Sequence, residues 1–410
     1  MKQKINKMIF VVLLAVFVLT GCTTESVQSN PEINSREWDL IKESAVDTTV
    51  VMYHNYTSLN AVKLLETELP KKVKDNTGIV LKVSYKSRTD IYEKLMADMA
   101  NERKKGSIDL ILLSDNGFKT FYENDLIYGP FLKKIPNYHN YINADSIEPH
   151  YTEGMAINDF AAPFGRNQFV MITNEDYIDE PPVDFDELLA YIQAEKGRFT
   201  VPSPPNQVGV KFIETLVCNI EGWEKVNELP ADKAQVKEAL KDSIAYMEYI
   251  KPYLWKEGTI FPENEKDLDA LFLEDSVIFS MSMNQNHATE MLYEDAYPEG
   301  AKSFVLGDGT VGTTSYMMIP FNSNNKSGAM VMVNEILTPE IQGLKYNPKK
   351  WGSLPALDTK IMETEVARPI TKNIIKRSSI KEAELMENRL PNVRKEISDI
   401  LVDIWFEIMG

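Results

Sequence analysis

The stretch APFGRNQFVMITN, residues 162–174, changes character half-way along its length. Its second half, Phe169 to Ile172, is apolar on both faces, which is typical of a strand buried inside an α/β sheet. Its first half carries three long polar side chains, those of Arg166, Asn167 and Gln168. Because side chains alternate along a strand, Arg166 and Gln168 share one face, while Asn167 and Phe169 lie on the other. One face of this stretch can therefore meet a ligand while the other face packs.

The first residues of the chain have the pattern of an export signal. A segment with three lysines precedes an apolar run from Met8 to Leu19, which at about a dozen residues is short for a membrane span. The run ends in LTGC, residues 19–22, which resembles a bacterial lipobox. That resemblance implies cleavage before Cys22 and acylation of its thiol and amine, whereas the alternative is an uncleaved membrane anchor with a chance cysteine. We expect residues 1–21 to be a signal peptide and Cys22 to carry lipid.

The residues that follow indicate where the body of the protein lies. Residues 23–31 are too polar to pack, so we expect residues 22–45 to form a lipidated tether followed by a short helix. A lipid at one end of a flexible tether holds a soluble body at a membrane surface. We therefore predict an extracytoplasmic protein that is lipid-anchored to the outer face of the cytoplasmic membrane.

The chain is acidic, with a formal net charge of −17 at pH 7, and removal of the signal peptide would delete three lysines and no acidic residue. Such a body is repelled by nucleic acid and by anionic lipid head groups, so we exclude nucleic-acid binding. We interpret the acidity as a source of solubility outside the cell. With Cys22 lipidated, Cys218 is left without a cysteine partner, and its apolar surroundings indicate a small core residue.

The length and the order of patterns predict two lobes. About 365 residues follow the tether, which is too many for a single core. Strand patterns at residues 49–53, 79–84 and 108–113 alternate with helical patterns, which predicts a parallel sheet covered by helices. Residues 186–300 repeat the alternation, which indicates a second lobe inserted into the first. The expected fold class is therefore α/β, with two lobes that each hold a mainly parallel sheet flanked by helices.

Polar and aromatic side chains follow the predicted strands, at the edge where the carboxyl ends of parallel strands meet and ligands gather. The ligand contacts predicted at these ends are Tyr53, Asn55, Tyr56 and Asn116 in the first lobe and Asn284 in the second. Other residues at the same ends are interpreted as helix caps, namely Ser58, Ser87 and Asp115.

Several further motifs, taken in order, are similar to those of one known family. The most specific are Gly129-Pro130-Phe131, Pro163 to Phe169, Pro202 to Pro205, Gly309 to Thr314, and Asn347-Pro348 with Trp351-Gly352. From Trp38 to about Leu357 the chain resembles the extracytoplasmic solute-binding proteins of ABC importers. The resemblance implies the two-lobed type II periplasmic-binding-protein fold, in a branch near the thiamine- and iron-type binding proteins.

The resemblance also implies how the chain is divided. It implies that the chain crosses between the lobes at least twice, at residues 161–169 and 308–315, and that these crossings form a hinge beside a cleft. The alternative for residues 308–315 is an ordinary surface turn. The implied divisions are lobe 1 at residues 46–164 with 310–345, lobe 2 at 165–309, and a C-terminal helical region at 346–410 whose lobe is left open.

The mechanism implied by the family is capture of a small solute between the lobes and delivery to an ABC-transporter membrane permease. Beyond the strand ends, the predicted solute contacts are Arg166, Gln168, Ser203 and Thr310. For Arg166 the alternative is an ion pair with a nearby carboxylate. We expect a monomer without a cofactor, and the sequence leaves the identity of the solute open.

A membrane-anchored extracytoplasmic hydrolase is the alternative function. The sequence contains no Gly-x-Ser-x-Gly elbow and no His-Glu-x-x-His motif. Its histidines, at positions 54, 139, 150 and 287, are far apart and lack metal-ligand spacing, so we expect no catalytic residues and no metal site. Solute binding is therefore the predicted function.

Overall fold

The computed structural model describes residues 35–114, 117–146, 149–373 and 378–410, which lie within one compact unit, residues 33–410. The predicted signal peptide, Cys22, Asp115 and Asn116 lie outside the described residues. In the described part of the chain, no helix has the length and apolar character needed to cross a membrane.

The strands are short, and most belong to two sheets. In chain order they are β1 (Thr49–His54), β2 (Val80–Tyr85), β3 (Leu110–Leu113), β4 (Ile127–Tyr128), β5 (Tyr151–Thr152), β6 (Met155–Ala156), β7 (Ala161–Gln168), β8 (Val170–Asn174), β9 (Phe279–Ser282), β10 (Ala301–Phe304), β11 (Thr310–Pro320), β12 (Leu354–Pro355) and β13 (Arg389–Leu390).

The helices surround these sheets. In chain order they are α1 (Ser35–Ala45), α2 (Leu59–Lys63), α3 (Leu69–Thr77), α4 (Arg88–Ala100), α5 (Phe118–Glu123), α6 (Pro136–Tyr141), α7 (Phe185–Ala194), α8 (Gln207–Glu221), α9 (Trp223–Glu228), α10 (Lys233–Ala239), α11 (Lys241–Ile250), α12 (Glu265–Leu273), α13 (His287–Tyr293), α14 (Lys326–Ile336), α15 (Pro339–Tyr346), α16 (Thr364–Thr371), α17 (Glu382–Glu387) and α18 (Lys395–Met409). Short 3₁₀ turns lie at Leu132–Lys134, Lys251–Tyr253, Trp255–Gly258 and Thr359–Ile361.

Local chemistry explains several helix boundaries. Helix α4 begins with a reciprocal cap, in which Ser87 Oγ accepts the Asp90 amide (3.1 Å) and the Asp90 carboxylate accepts the Ser87 amide (3.3 Å). The cap predicted at Ser87 is therefore confirmed. Ser58 precedes α2 without a side-chain hydrogen bond to the helix, so the cap predicted there is wrong. Helices α2 and α3 are joined by a π-helical turn, Leu64–Glu68, which leads directly into the helix that contains Pro70 near its start.

The larger sheet has the order β12-β7-β11-β3-β1-β2. Strand β1 lies parallel to β2 and β3, as the alternating patterns predicted. Strand β11 lies antiparallel to both β3 and β7, and β12 lies antiparallel to β7. The sheet is therefore mixed, and the expectation of a mainly parallel sheet is corrected here. The chain leaves this sheet along β7 and returns to it along β11. Because these two strands are neighbours, they run in opposite directions.

The smaller sheet has the order β10-β8-β9, and both of its pairings are antiparallel. The expectation of a mainly parallel sheet is therefore wrong for this part of the chain as well. Its central strand is the apolar half of the opening stretch, and every residue of Val170–Asn174 is buried. The strand predicted there is confirmed, because a central strand covered on both faces needs apolar residues at consecutive positions.

Each sheet has its own hydrophobic core, so the two-lobed α/β fold class is confirmed. We use lobe 1 for the residues that pack around the larger sheet, with Met52, Leu112 and Met332 among its buried side chains. We use lobe 2 for the residues that pack around the smaller sheet, with Phe212 and Phe279 among its buried side chains. The residue boundaries implied for the lobes stay a prediction.

The C-terminal residues connect the two lobes. Helix α16 packs against α15 in lobe 1, and α18 packs in the core of lobe 2 through Leu401, Ile404 and Trp405. Between them lie α17 and β13, and β13 pairs in parallel with the first residues of β11. We call residues 382–393 the C-terminal crossing segment, because it is a third connection between the lobes.

Candidate functional site

The three connections between the lobes are bound to one another by the side chain of Arg389. Its Nη1 donates to the Asn167 carbonyl of β7 (2.8 Å), and its Nη2 donates to the Thr313 carbonyl of β11 (2.9 Å). Gly312 makes room for this guanidinium, because a Cβ at position 312 would lie 2.2 Å from Nη1. One cation of the C-terminal crossing segment thus fixes the positions of both other connections.

Gln168 and Thr310 are brought together, as neighbouring crossings would require. Gln168 Nε2 donates to Thr310 Oγ1 (3.0 Å) and to the Asn388 carbonyl (2.8 Å), and the Thr310 amide donates to the same carbonyl (2.9 Å). Both side chains are fully buried, and Gln168 Oε1 has no hydrogen-bond partner among the described residues. In this structure the two residues hold the C-terminal crossing segment in place.

Arg166 is paired with a carboxylate. Its Nη2 lies 2.8 Å from Glu382 Oε1, its Nε donates to the Pro355 carbonyl (2.9 Å), and its Nη1 contacts Met386 Sδ (3.2 Å). The structure therefore has the alternative arrangement for Arg166, an ion pair with a carboxylate that lies far away in the sequence. Its side chain remains 13% exposed, and the exposed part lines a cavity.

A cavity of about 240 Å³ lies where the two lobes and their connections meet. Both lobes and two of the connections contribute to its wall, including Tyr151, Glu153, Trp223, Asn227, Thr314 and Arg389. We call it the inter-lobe cavity. An ion pair between Lys119 of α5 and Glu396 of α18 joins lobe 1 to lobe 2 close by, and it raises the pKa of Lys119 above its usual value.

The polar groups around the inter-lobe cavity are held by the protein. Glu153 accepts the Lys119 amide (2.6 Å), and Asn227 Oδ1 accepts the Arg394 amide (3.0 Å). Trp223 differs from them, because its Nε1 is buried and has no hydrogen-bond partner among the described residues. A buried donor without an acceptor is unfavourable, and because this atom is shielded from the open space, Trp223 contributes to the cavity wall through its ring.

A second cavity, of about 260 Å³, is lined in part by Glu382 and Met386 of the C-terminal crossing segment. Charged and polar side chains line it, including Arg166, Asp358, Lys360 and Glu382. We call it the Arg166 cavity. Thr314 and Met386 line both this cavity and the inter-lobe cavity, so the two spaces are adjacent.

Tyr56 and Asn284 lie in a different contact between the lobes. Tyr56 donates its hydroxyl hydrogen to Ser315 Oγ (2.7 Å) and meets the Trp351 ring edge-on, with the centroids 4.8 Å apart. Asn284 Nδ2 donates to the Trp351 carbonyl (3.4 Å), and Asn286 Nδ2 donates to the Gly352 carbonyl (2.6 Å). We call this contact, formed by Tyr56, Ser315, residues 351–352 and residues 284–286, the Trp351 seam.

The remaining predicted contacts are dispersed. Tyr53 is half-buried, with the Lys86 ammonium 6.0 Å from the centre of its ring. Asn55 Oδ1 accepts the Ser114 amide (2.8 Å), and Ser203 Oγ donates to the Pro204 carbonyl (3.1 Å). The structure therefore does not arrange the predicted residues as one shell. It places Arg166, Gln168 and Thr310 at the C-terminal crossing segment and Tyr56 and Asn284 in the Trp351 seam.

Comparison with known families identifies the architecture. Residues 68–367 match the family described as bacterial extracellular solute-binding protein. The chain belongs to this family. The resemblance found in the sequence is thus confirmed, and the protein is a solute-binding protein of the kind that serves ABC transporters. Because the family and the similar structures are binding proteins, they give no support to the alternative of a hydrolase.

Three similar proteins illustrate the relationship. Protein YnjB of Escherichia coli K12 is 27% identical over 336 residues, which cover 79% of this chain and 84% of that protein. The spermidine/putrescine substrate-binding protein PotD of Streptococcus pneumoniae has a TM-score of 0.60 at 16% identity, over 88% of this chain and 100% of that one. Ferric ion-binding protein A of Pasteurella haemolytica has a TM-score of 0.58 at 15% identity, over 88% and 97% of the two chains. At such identities the structural likeness establishes the fold alone.

Sequence analysis of this solute-binding protein missed most of the residues that line the inter-lobe cavity, although Gly312 and Thr314 lie in the predicted crossing at residues 308–315. Trp223 follows Gly222 at the start of a short helix, and Tyr151 lies in the two-residue strand of a hairpin, so neither belongs to a periodic pattern. Arg389 lies in the region to which no lobe was assigned, and its two shorter hydrogen bonds go to backbone carbonyls. An isolated aromatic residue next to a glycine was the available signal at Trp223, and it is a weak one.

A buried charge cluster of the solute-binding protein lies next to the Trp351 seam. His287 Nε2 lies 2.9 Å from Asp269 Oδ2, and its Nδ1 lies 3.9 Å from Glu265. Burial alone would lower the pKa of His287, but the carboxylates of Glu265, Asp269 and Glu290 outweigh burial and raise this pKa to about 10. Glu290 also accepts a hydrogen bond from Asn60 of lobe 1, so the cluster contacts both lobes. In the described residues, no group of three or more His, Cys, Asp or Glu side chains is placed to hold a metal ion.

Proposed function

We propose that this protein captures a small solute in the inter-lobe cavity, outside the cytoplasmic membrane, and delivers it to an ABC-transporter permease. The observation that carries the proposal is the composition of the cavity wall, to which lobe 1, lobe 2, β11 and the C-terminal crossing segment all contribute. A molecule bound there gains its full set of contacts only when the lobes meet, so it favours the closed arrangement. Pockets between domains, lined by aromatic rings and a few polar groups, are typical of small-molecule sites.

Contacts between the lobes support the same mechanism. The Lys119–Glu396 ion pair, the Asn60–Glu290 hydrogen bond and the Trp351 seam each join lobe 1 to lobe 2. Each is partly exposed or polar and contributes modestly, because exposed ion pairs are worth about 0–1 kcal/mol. Lobes held by such contacts can separate, and the free energy of solute binding then decides how often they are closed.

The residues predicted from the sequence receive revised roles in this proposal. Arg166 lines the Arg166 cavity, whereas Gln168 and Thr310 hold the crossing segment behind the inter-lobe cavity. Tyr56 and Asn284 close the Trp351 seam. On the sequence argument alone, Tyr53, Asn55, Asn116 and Ser203 stay proposed solute contacts, although Tyr53, Asn55 and Ser203 do not line the inter-lobe cavity.

The proposal includes an anchor. Lipid on Cys22 and a tether over residues 22–45 would keep the body close to the permease, which raises its effective concentration there. Changing Cys22→Ser should move the protein from the membrane fraction to the soluble fraction. Retention of the serine variant in the membrane fraction would contradict the lipid anchor without affecting the proposed solute site.

The decisive experiment measures solute that stays bound during purification. Protein lacking residues 1–22, purified without dialysis, should carry a small molecule in native mass spectrometry, and Trp223→Ala should lose it. The conservative change Trp223→Phe keeps an aromatic ring of smaller area and should weaken binding less than Trp223→Ala. Trp255→Phe is the matched control, because it makes the same change in lobe 2 away from the cavity.

Two results would contradict the proposal. One is the absence of any retained or added small molecule that raises the melting temperature of the protein. The other is unchanged affinity in Trp223→Ala, which would place the solute elsewhere. Delivery is tested separately, by asking whether the loaded protein stimulates ATP hydrolysis by its reconstituted importer.

A further inference from the structure

We propose that the inter-lobe cavity and the Arg166 cavity form one extended site, divided by the side chain of Met386, and that its solute is a zwitterion with an aromatic ring. This inference rests on the proposed function and names the class of solute. The two cavities, of about 240 and 260 Å³, share Thr314 and Met386 as wall residues. Each is smaller than the roughly 300 Å³ at which small-molecule pockets begin, whereas the two together fall within that class.

The inter-lobe cavity has the chemistry of a ring pocket. Three aromatic side chains line it, those of Tyr151, Trp223 and Tyr316. Aromatic faces and edges attract another ring through their quadrupoles, in addition to the area that is buried. A volume of about 240 Å³ limits the occupant of this part to a small ring system.

The Arg166 cavity has the chemistry of a zwitterion pocket. Arg166 and Lys360 line it with positive charge, and Asp358 and Glu382 line it with negative charge. The Arg166 guanidinium lies 2.8 Å from Glu382, and Asp358 Oδ2 accepts Asn143 Nδ2 (3.0 Å), so these groups are held at fixed positions. A solute carboxylate would meet Arg166 and the exposed Lys360, while a solute ammonium would meet the carboxylates of Glu382 and Asp358.

Met386 separates the two parts at low energetic cost. Its sulfur contacts Arg166 Nη1 at 3.2 Å, and its side chain is only partly buried. Methionine is unbranched and has three rotatable bonds, so it can change rotamer without strain in its neighbours. One rotamer change at Met386 would therefore connect the cavities, so that a single solute molecule could occupy both and pass alongside Thr314.

The charge balance of the walls distinguishes this solute class from a polycation. The charged side chains that line the inter-lobe cavity are Glu153 and Arg389, which cancel formally. The two positive and two negative side chains of the Arg166 cavity cancel as well. The site is thus neutral within a chain of net charge −17, and a neutral wall favours a neutral or zwitterionic solute.

Calorimetric titration with three probes tests the inference. L-tryptophan carries a ring and a zwitterion, indole carries only the ring, and glycine carries only the zwitterion. L-tryptophan should bind at least about 10-fold more tightly than indole, because hydrogen bonds to charged groups add to ring burial, and glycine should bind more weakly than either. Lys360→Gln should reduce the affinity for L-tryptophan and leave that for indole unchanged.

Variants at the shared wall complete the test. Met386→Ile should weaken L-tryptophan more than indole, because a β-branched side chain loses the rotamer freedom that opens the passage. Arg166→Ala should also weaken the binding of L-tryptophan more than that of indole. If Arg166→Ala unfolds the protein, Lys360→Gln still tests the inference. Equal affinities for L-tryptophan and indole would overturn the inference.

The outcomes separate this inference from the proposed function. If no probe binds, but a different small molecule is retained and lost in Trp223→Ala, the solute class is wrong and the proposed function stands. If neither the probes nor any retained molecule binds, the proposed function fails together with the inference.

Discussion

The interaction between Arg389 and Gly312 gives a quantitative prediction for the connections between the lobes. Arg389→Ala removes the hydrogen bonds from a cation to the Asn167 and Thr313 carbonyls, together with a longer one to Thr314 Oγ1 (3.4 Å). Hydrogen bonds to charged groups are worth about 1.5–3 kcal/mol each, and this side chain is only half-buried, so we expect a loss of about 2–4 kcal/mol in the free energy of unfolding. Gly312→Ala places a Cβ 2.2 Å from Nη1 and 2.3 Å from Cζ of the same guanidinium.

The alanine at position 312 should therefore act through Arg389. The guanidinium can move away from the new methyl group, but it then leaves both carbonyl acceptors, so Gly312→Ala alone should also cost about 2–4 kcal/mol. The three atoms nearest to the new methyl group all belong to the Arg389 guanidinium, so in the Arg389→Ala background the double variant should be no less stable than Arg389→Ala. The coupling energy between the two positions should thus be about 2–4 kcal/mol.

Urea unfolding of the four proteins in this cycle measures the coupling. Gly197→Ala provides a second reference, because its Cβ would meet nothing within 4 Å and its cost comes from the left-handed backbone, φ +84°. Additive costs at positions 312 and 389, within about 0.5 kcal/mol, would refute the interpretation that Arg389 binds the connections together.

Three further changes have defined expectations. Lys345 is fully buried, and burial together with nearby Arg166 lowers its pKa well below the usual value. Lys345→Met should therefore be more stable than wild type at pH 7, and the difference should shrink as the pH rises toward the unfolded-state pKa of about 10.4. A pH-independent difference in melting temperature would contradict this. His287 has a pKa raised to about 10, so its contribution to stability is complete below the unfolded-state pKa of about 6.5 and is lost as the pH rises through 10. Urea unfolding should therefore show that His287→Gln destabilises the protein more at about pH 6 than at pH 10. The reverse order would be inconsistent with the ion pairs to Asp269 and Glu265. Tyr56→Phe removes the hydrogen bond to Ser315 and should lower the free energy of unfolding by about 0.5–1.5 kcal/mol, while an increase in stability would show that this bond does not stabilise the Trp351 seam.

The two-lobed architecture was accessible from the sequence because it depends on side-chain patterns. Four consecutive apolar residues from Phe169 predicted a strand that is covered on both faces, and β8 is such a strand. The strand directions were not accessible in the same way. The apolar pattern of a buried strand is the same whether its neighbours run parallel or antiparallel, so the direction of β11 against β3 left no trace in the residues.

The third connection between the lobes illustrates a second limit. Arg389 donates hydrogen bonds to the backbone carbonyls of Asn167 and Thr313. Every residue has a backbone carbonyl, so no residue type in the sequence identifies the partner. The acidic chain contains many carboxylates that could pair with Arg166, and the one that does, Glu382, lies 216 positions away. Contacts of this kind depend on the path of the backbone, and the path is determined by the whole fold.

For the site, the sequence predicted a location between the lobes, and the proposed inter-lobe cavity is such a location. The sequence identified residues near the crossings, and three of them, Arg166, Gln168 and Thr310, do contact the C-terminal crossing segment. The walls of the inter-lobe cavity come from short elements without periodicity, such as the hairpin that holds Tyr151 and the helix that begins at Trp223. Aromatic residues in such elements look the same whether they pack in a core or line a cavity.

The most direct test of solute capture is a crystal structure of the protein purified without dialysis. Electron density for a small molecule should lie against the side chains of Trp223 and Tyr151. Density for a bound molecule that contacts a single lobe, or that lies away from both cavities, would contradict capture in the inter-lobe cavity.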